Sequence, residues 1–351
     1  MEKIMTRQIK VGGIKIGGGF PVSIQSMTKT DTRDVPATVR QIKELEKAGC
    51  EIVRVAIKDF EAASAIKAIK RKVNLPLVAD IHFDYRLALC AIENGADKIR
   101  LNPGNIYKEN EIKEVVGLAK KKKIPIRVGA NSGSIRNKAK GEGLRVDDIV
   151  NPVLDYIKIL ERMGFYDIIV SLKASDALST IEAYKLFSKK SKYPLHLGIT
   201  AAGPASTGIV KSAIGIGALL LDGIGDTIRV SLTGNPEEEV IAAKNILQAL
   251  NLRNFGPEII SCPTCGRCQV DLQKIVEKIE SGIGPQAISH KSQVAGIKIA
   301  IMGCEVNGPG EAKEADIGIA CGKGSGVIFK KGKIVKRVKE KDIVKELLKY
   351  I

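Results

Sequence analysis

The sequence predicts an α/β chain: an N-terminal (β/α)8 barrel of the TIM type followed by a smaller α/β domain. Three observations predict it. Short β-branched runs alternate with helix-length amphipathic stretches eight times between Pro21 and about Leu232. The runs are largely apolar, as strands of a parallel sheet covered by crossover helices must be. Polar side chains gather at the C-terminal ends of nearly every run. In a closed barrel those ends converge on one mouth, whereas in an open doubly wound sheet, the alternative architecture, they spread along an edge.

Strands are expected over residues 22–26, 52–56, 77–81, 98–101, 124–129, 167–172, 195–199 and 227–232. Helices are expected over 36–48, 60–70, 111–122, 147–162, 177–188, 210–221 and 237–250, with a shorter one after Asp84. Past Leu252 the texture changes. Residues 253–257 read as a linker, followed by a cysteine cluster, a helix at 270–279 and a strand at 297–302. A Gly-rich stretch at 322–326, a hairpin around Lys331-Gly332 and a helix from Asp342 complete the chain. The expected domains are 1–252, the substrate-binding barrel, and 253–351.

Composition narrows the function. With 44% hydrophobic and 27% charged residues in 351, the chain has material for a sizeable core. No apolar run approaches the roughly 18 residues of a membrane span, and the first ten residues are too charged for a signal peptide. A cytoplasmic protein is expected. A net charge of +17 points to nucleic acid, an anionic small molecule or an acidic protein. Aromatics are only 4% with no Trp, which leaves few stacking platforms for single-stranded nucleic acid. The Lys-rich runs at 120–123 and 330–341 read as solvated surface among helical or turn residues.

The strand-end residues are Gln25, Ser26, Arg54, Asp80, His82, Arg100, Asn102, Arg127, Asn131, Ser171, Lys173, His196, Thr200, Arg229 and Ser231. An unpaired buried Arg is costly, so Arg54, Arg100, Arg127, Lys173 and Arg229 converging on one mouth imply an anionic guest. Asp80 and Asp226 are the internal partners at hand, too few for the set. Asn102-Pro103-Gly104-Asn105 and Gly129-Ala130-Asn131-Ser132-Gly133-Ser134 add amide, hydroxyl and backbone donors suited to phosphate oxygens. His82 and His196 are open to acid, base, ligand or hydrogen-bonding roles.

Of seven cysteines, Cys50 and Cys90 read as buried structural thiols on helical stretches. Cys262, Cys265 and Cys268 recur at i, i+3 and i+6, and Cys304 follows inside Met302-Gly303-Cys304-Glu305-Val306-Asn307-Gly308-Pro309-Gly310-Glu311. Thiolates in this number suit zinc or an iron-sulfur cluster. Zinc ribbons carry a second CxxC pair, so the lone later cysteine favours a cluster. A zinc-stabilised, RNA-binding barrel is the reading from another class; a brown or a colourless protein would separate the two.

The cysteine motifs, together with ADIHF (79–83), IRLNPGN (99–105), VGANSGS (128–134), HLGIT (196–200) and GIGDTIRVSL (223–232), resemble the 4-hydroxy-3-methylbut-2-enyl diphosphate synthases over nearly the whole chain. These are the iron-sulfur oxidoreductases of the methylerythritol phosphate route to isoprenoids. The resemblance implies a barrel that holds 2-C-methyl-D-erythritol 2,4-cyclodiphosphate and a C-terminal domain carrying a 4Fe-4S cluster on Cys262, Cys265, Cys304 and Glu311. Cys268 and Cys321 are then bystanders. It implies a two-electron ring opening and dehydroxylation, with ferredoxin or flavodoxin as donor, in a homodimer without nucleic acid or membrane. Arg54, Arg100, Arg127, Lys173 and Arg229 are expected to grip the diphosphate. Asp80, His82, Asn102, Asn131, Ser132, Ser171, Ser231 and Asn307 join them at the substrate, and His196, Thr200 and Glu311 stand nearest the chemistry. The family writes Thr-Glu-Ala-Gly where this chain has Thr200-Ala201-Ala202-Gly203, so a carboxylate is missing at Ala201 and impaired turnover is expected.

Overall fold

The computed structural model describes residues 3–131, 145–174, 176–283 and 296–351. The chain divides into two compact units, Met1–Arg253 and Asn254–Ile351.

The first unit opens with an antiparallel hairpin, β1 (Ile9–Val11) and β2 (Ile14–Ile16). Ile9, Val11 and Ile16 pack against Ile52, Val78 and Ile169 of three barrel strands, so the hairpin closes the barrel floor. This plug was not expected from the sequence, although Gly12-Gly13 between alternating apolar residues is a hairpin signal.

The wall then follows: β3 (Ser23–Met27), α1 (Val35–Ala48), β4 (Ile52–Ile57), α2 (Phe60–Lys70), β5 (Leu77–Ile81), α3 (Tyr85–Glu93) and β6 (Lys98–Leu101). It continues through α4 (Glu109–Lys122), β7 (Ile126–Asn131), α5 (Val146–Arg162), β8 (Ile168–Lys173), α6 (Ala177–Lys190), β9 (His196–Leu197), α7 (Ala205–Leu221), β10 (Thr227–Ile228) and α8 (Pro236–Ala249). Helices start where short polar residues past a strand end can cap them: Asp34, Asp59, Asp84, Asp176 and Asn235 each accept a backbone N–H of the first turn. β3 to β10 form one parallel sheet in the order β8-β7-β6-β5-β4-β3-β10-β9. A parallel bridge between Val170 and Leu195 closes it. The eight-stranded barrel read from the alternation is therefore present. β9 and β10 are shorter than their apolar runs, and β9 ends directly before Gly198, which takes φ 155°.

The second unit is a mixed five-stranded sheet of β11 (Glu258–Ser261), β12 (Lys298–Met302), β13 (Ile317–Gly322), β14 (Ser325–Lys330) and β15 (Lys333–Lys339), paired in that order. Its helices are α9 (Leu272–Ile283), α10 (Gly308–Glu314) and α11 (Ile343–Leu347). Period-two alternation sorts the faces. Ile299 and Ile301 with Ile317, Ile319 and Cys321 meet α9 and α11, whereas Ala300, Met302 and Ala320 face α10. Small residues are needed there: a Cβ on Gly318 would lie 2.3 Å from the Ala312 carbonyl oxygen.

Two expectations need correction, and one strand was not foreseen: β11 follows directly on the residues read as a linker. Cys50 lies one residue beyond the C-cap of α1 rather than on a helix, although it is buried. The basic run at 330–341 is mostly strand, with Lys331-Gly332 as its hairpin turn at φ 48° and 75°. Among the described residues no helix is long and apolar enough to cross a membrane.

Candidate active site

Inward-facing positions of a barrel strand alternate, so β5, β6 and β7 bring Asp80, Arg100 and Arg127 into register at one level. Arg100 lies 3.4 Å from Asp80 and donates to the Gly129 carbonyl at 3.0 Å. Arg54 reaches Asp80 at 3.7 Å, and His82, half-exposed above them, lies 3.8 Å from the same carboxylate. Burial would raise the Asp80 carboxyl, but Arg54, Arg100 and Arg127 outweigh it and hold it down at about 2.

Asp80 cannot balance the rest. Arg127 is fully buried, and among the described residues its Nε and Nη1 have no hydrogen-bond partner. Burial, then the charges of Arg54 and Arg100, pushes its guanidinium well below the usual value. Lys173 is pushed down by burial and by Arg229 and Arg127. Arg229 is lowered to about 10 by burial and Arg54. Positive charges held together away from solvent stabilise a guest carrying several negative charges.

Two glycines let these side chains pack close against the backbone. A Cβ on Gly129 would sit 2.8 Å from Ser171 Oγ and 2.9 Å from Arg100 Nε. One on Gly198 would sit 2.6 Å from Lys173 Nζ and 2.4 Å from the Arg229 carbonyl oxygen. Gly129→Ala is expected to cost about 1–3 kcal/mol of ligand binding by displacing Arg100. Titration calorimetry with inorganic pyrophosphate checks it, and an unchanged Kd refutes the close fit.

The remaining predicted residues divide. Asn102 and Asn131 stand at the ends of β6 and β7, Asn102 accepting Gly104 N–H at 3.0 Å. Ser171 is buried on β8, and Ser231 is half-buried past β10. Thr200 donates to the Ala174 carbonyl at 2.7 Å, which fixes the turn that carries exposed Ala201. His196 lies deeper, fully buried, with Nδ1 3.5 Å from Thr227 Oγ1 and, among the described residues, no partner for Nε2. Burial, then Arg127 and Lys173, pushes its pKa well down, so its imidazole is neutral. Ser132, with Gly133 and Ser134, lies outside the described residues.

Asp226 is not a partner of these cations: it precedes β10, at the floor, where Lys3 at 3.3 Å, Thr6 and the Leu195 N–H engage it. Sequence reasoning missed Glu239 instead. Fully buried on α8, it accepts from Ser26 Oγ and the Leu232 N–H, both at 3.1 Å, and lies 3.6 Å from Arg229 and 3.4 Å from Lys29. A signal existed, since Glu239 shares the inward face of α8 with Pro236, Val240, Ala243 and Leu247. Lys98, fully buried and 3.4 Å from Gln25 Oε1, was missed too.

In the second unit, Cys262, Cys265, Cys304, Asn307 and Glu311 line one cavity of about 380 Å³, with Arg267 and Met302. Asn307, read as a substrate residue, thus stands among the thiols. Backbone donors favour thiolates here. Gly303 N–H donates to Cys262 Sγ at 3.3 Å, and the N–H groups of Asn307 and Val306 lower the Cys304 pKa. Among the described residues no three such side chains close on a single point as around one metal ion. A cluster takes one ligand per iron and needs them spread around a cavity, so the donor set fits a 4Fe-4S group. Cys268 points elsewhere, donating to the Val270 carbonyl at 3.3 Å and packing on the core. Cys321 lies in that core, its thiol pushed up to about 12 by burial.

Comparison with known proteins agrees with this division. The family model described as the GcpE TIM-barrel domain matches residues 6–244, and that of the GcpE protein C-terminal domain matches 258–351. The chain is 57% identical over 349 residues to a 4-hydroxy-3-methylbut-2-en-1-yl diphosphate synthase (flavodoxin) of Caldanaerobacter subterraneus, covering 99% of this chain and 96% of that one. It is 55% identical to the protein of that name from Clostridium perfringens, over 100% and 99% of the two chains. Among solved structures, Xanthomonas albilineans dihydropteroate synthase matches with a TM-score of 0.51 at 13% identity, over 70% of this chain and 99% of that one. Clostridium difficile type I 3-dehydroquinate dehydratase matches with a TM-score of 0.51 at 16% identity, over 71% and 98%. At such identities these two show the barrel fold alone. The full-length relatives and the two domain matches place the chain in the GcpE family, and it is an enzyme of that family.

Proposed function

We propose that the chain converts 2-C-methyl-D-erythritol 2,4-cyclodiphosphate to 4-hydroxy-3-methylbut-2-enyl diphosphate in isoprenoid biosynthesis. Two electrons and a proton enter, the ring C–O bond to phosphate breaks, and the departing hydroxyl leaves as water. When bound, a 4Fe-4S cluster on Cys262, Cys265, Cys304 and Glu311 would supply the electrons one at a time. A flavodoxin is the proposed donor, after the relatives' names.

The observation that carries this reading is the excess of buried cations over carboxylates, with Arg127 donors unfilled. Ring opening frees a phosphate oxygen, so the diphosphate gains negative charge as the bond breaks. Arg54, Arg100, Arg127, Lys173 and Arg229 therefore hold the opened form more tightly than the closed ring, which lowers the barrier. Asp80 keeps Arg54 and Arg100 aligned, and Glu239 does the same for Arg229. Neutral His196 offers a hydrogen bond below them. Thr200, Asn131, Ser171 and Ser231 orient the carbon skeleton.

Arg127→Met separates binding from folding. Losing donors to a charged group should raise the Kd for the cyclic diphosphate roughly 10²-fold. Thermal stability should not fall, because the free protein loses an unpartnered buried cation and keeps the side-chain volume. An unchanged Kd in calorimetry contradicts the clamp.

The working unit is proposed to be a homodimer. Sedimentation should give about twice the 37.8 kDa chain mass, and a lone monomer at assay concentration overturns this part.

A further inference from the structure

β15 is the outer strand of the C-terminal sheet, paired with β14 on one side only. Lys333, Arg337 and Lys339 are exposed along it, and among the described residues no carboxylate pairs with them. Lys336 differs, being held by Glu346 at 2.5 Å. Between the cations, Ile334 is 57% and Val335 42% exposed. Edge lysines alone serve to discourage strand pairing. Two bare apolar residues near the start of the strand, where its register slips by one residue, work against that purpose, whereas apolar residues with a charged rim are the anatomy of a protein-docking patch.

Register brings the Arg337 end of this patch level with the thiol cavity, while Ile334 and Lys333 lie level with Gly318 and Ile317 toward the other end of the sheet. Met302, which lines the cavity, pairs with Ala320, Ala320 with Val327, and Val327 with Arg337. Three strand spacings therefore separate Met302 from Arg337, about 14 Å across the sheet. An electron can cross that span of packed protein directly.

We propose that the β15 edge is the docking surface for an acidic one-electron flavoprotein, a flavodoxin. This rests on the function proposed above and names the face its donor uses. The partner presents carboxylates to Lys333, Arg337 and Lys339 around an apolar spot that covers Ile334 and Val335. Its flavin sits on the Arg337 and Lys339 side of that spot, toward the end of the sheet that carries Cys262 and Cys304. Charge attraction makes the contact salt-dependent and quick to dissociate, as a carrier that must return for a second electron requires.

The test is the binding of oxidised flavodoxin to the cluster-loaded protein by calorimetry at low and high salt. Lys333→Glu, Arg337→Glu and Lys339→Glu combined should raise Kd at least tenfold and flatten the salt dependence. Lys120→Glu with Lys121→Glu, on α4 of the barrel, should change neither. An unchanged Kd in the triple variant overturns the surface. Should that variant misfold, Arg337→Gln replaces it with an expected rise of about threefold, and no rise is equally fatal. Flavodoxin that fails to bind the unmodified protein also overturns the surface. The functional reading is judged separately, by product formed with a small chemical reductant.

Discussion

Replacing Ala201 by Glu is expected to raise turnover by about 10² to 10⁴-fold, the usual worth of a positioned proton donor or acceptor, with little change in substrate affinity. Ala201 sits at φ 50° in the turn after β9, exposed beside the mouth. Its neighbour Thr200 is pinned to Ala174, so a carboxylate at 201 would start from a fixed backbone. Any side chain other than Gly meets the same Cβ strain at this φ, so the exchange should not unfold the turn. The cationic clamp is untouched, which is why affinity should hold. Steady-state assays of both forms with a chemical reductant decide it. Equal turnover would mean that a water or another side chain already moves the proton.

The largest effect expected in the second unit is loss of the cluster. Cys304→Ala should abolish the 4Fe-4S absorbance and paramagnetic signals, because Cys304 is a cavity-lining thiol that backbone N–H groups bias toward thiolate. Cys268→Ala should leave both signals in place, at a modest stability cost, since that sulfur donates to Val270 and packs on Leu272 and its neighbours. Loss of the signals in Cys268→Ala would move the fourth ligand from Glu311 to Cys268.

The barrel was legible in the sequence because strand and crossover helix impose two different periods, and eight repeats of the switch leave little other architecture. The convergence of buried cations was legible for a related reason: Arg54, Arg100 and Arg127 interrupt runs that should be apolar. What escaped notice depends on contacts remote in the chain. Glu239 meets Ser26 across 213 positions, and as the third of three consecutive glutamates opening α8 it reads as ordinary helix-start chemistry. Asp226 was assigned to the cations by its nearness to Arg229, but three residues of strand carry the two toward opposite ends of the barrel. The strand character of 333–339 was hidden by its lysines, since an edge strand exposed on both faces carries no alternation of buried and polar positions. β13 was masked by Gly318, which the close approach of α10 requires.

The anaerobically reconstituted protein, reduced in stoichiometric amounts, is mixed with 2-C-methyl-D-erythritol 2,4-cyclodiphosphate, and the products are identified by mass spectrometry. The expected product is 4-hydroxy-3-methylbut-2-enyl diphosphate, one molecule for every two electrons consumed, formed slowly by this chain and faster after Ala201→Glu. Full recovery of the cyclic diphosphate from both forms, with the cluster reduced and the ligand bound, would contradict the proposed conversion.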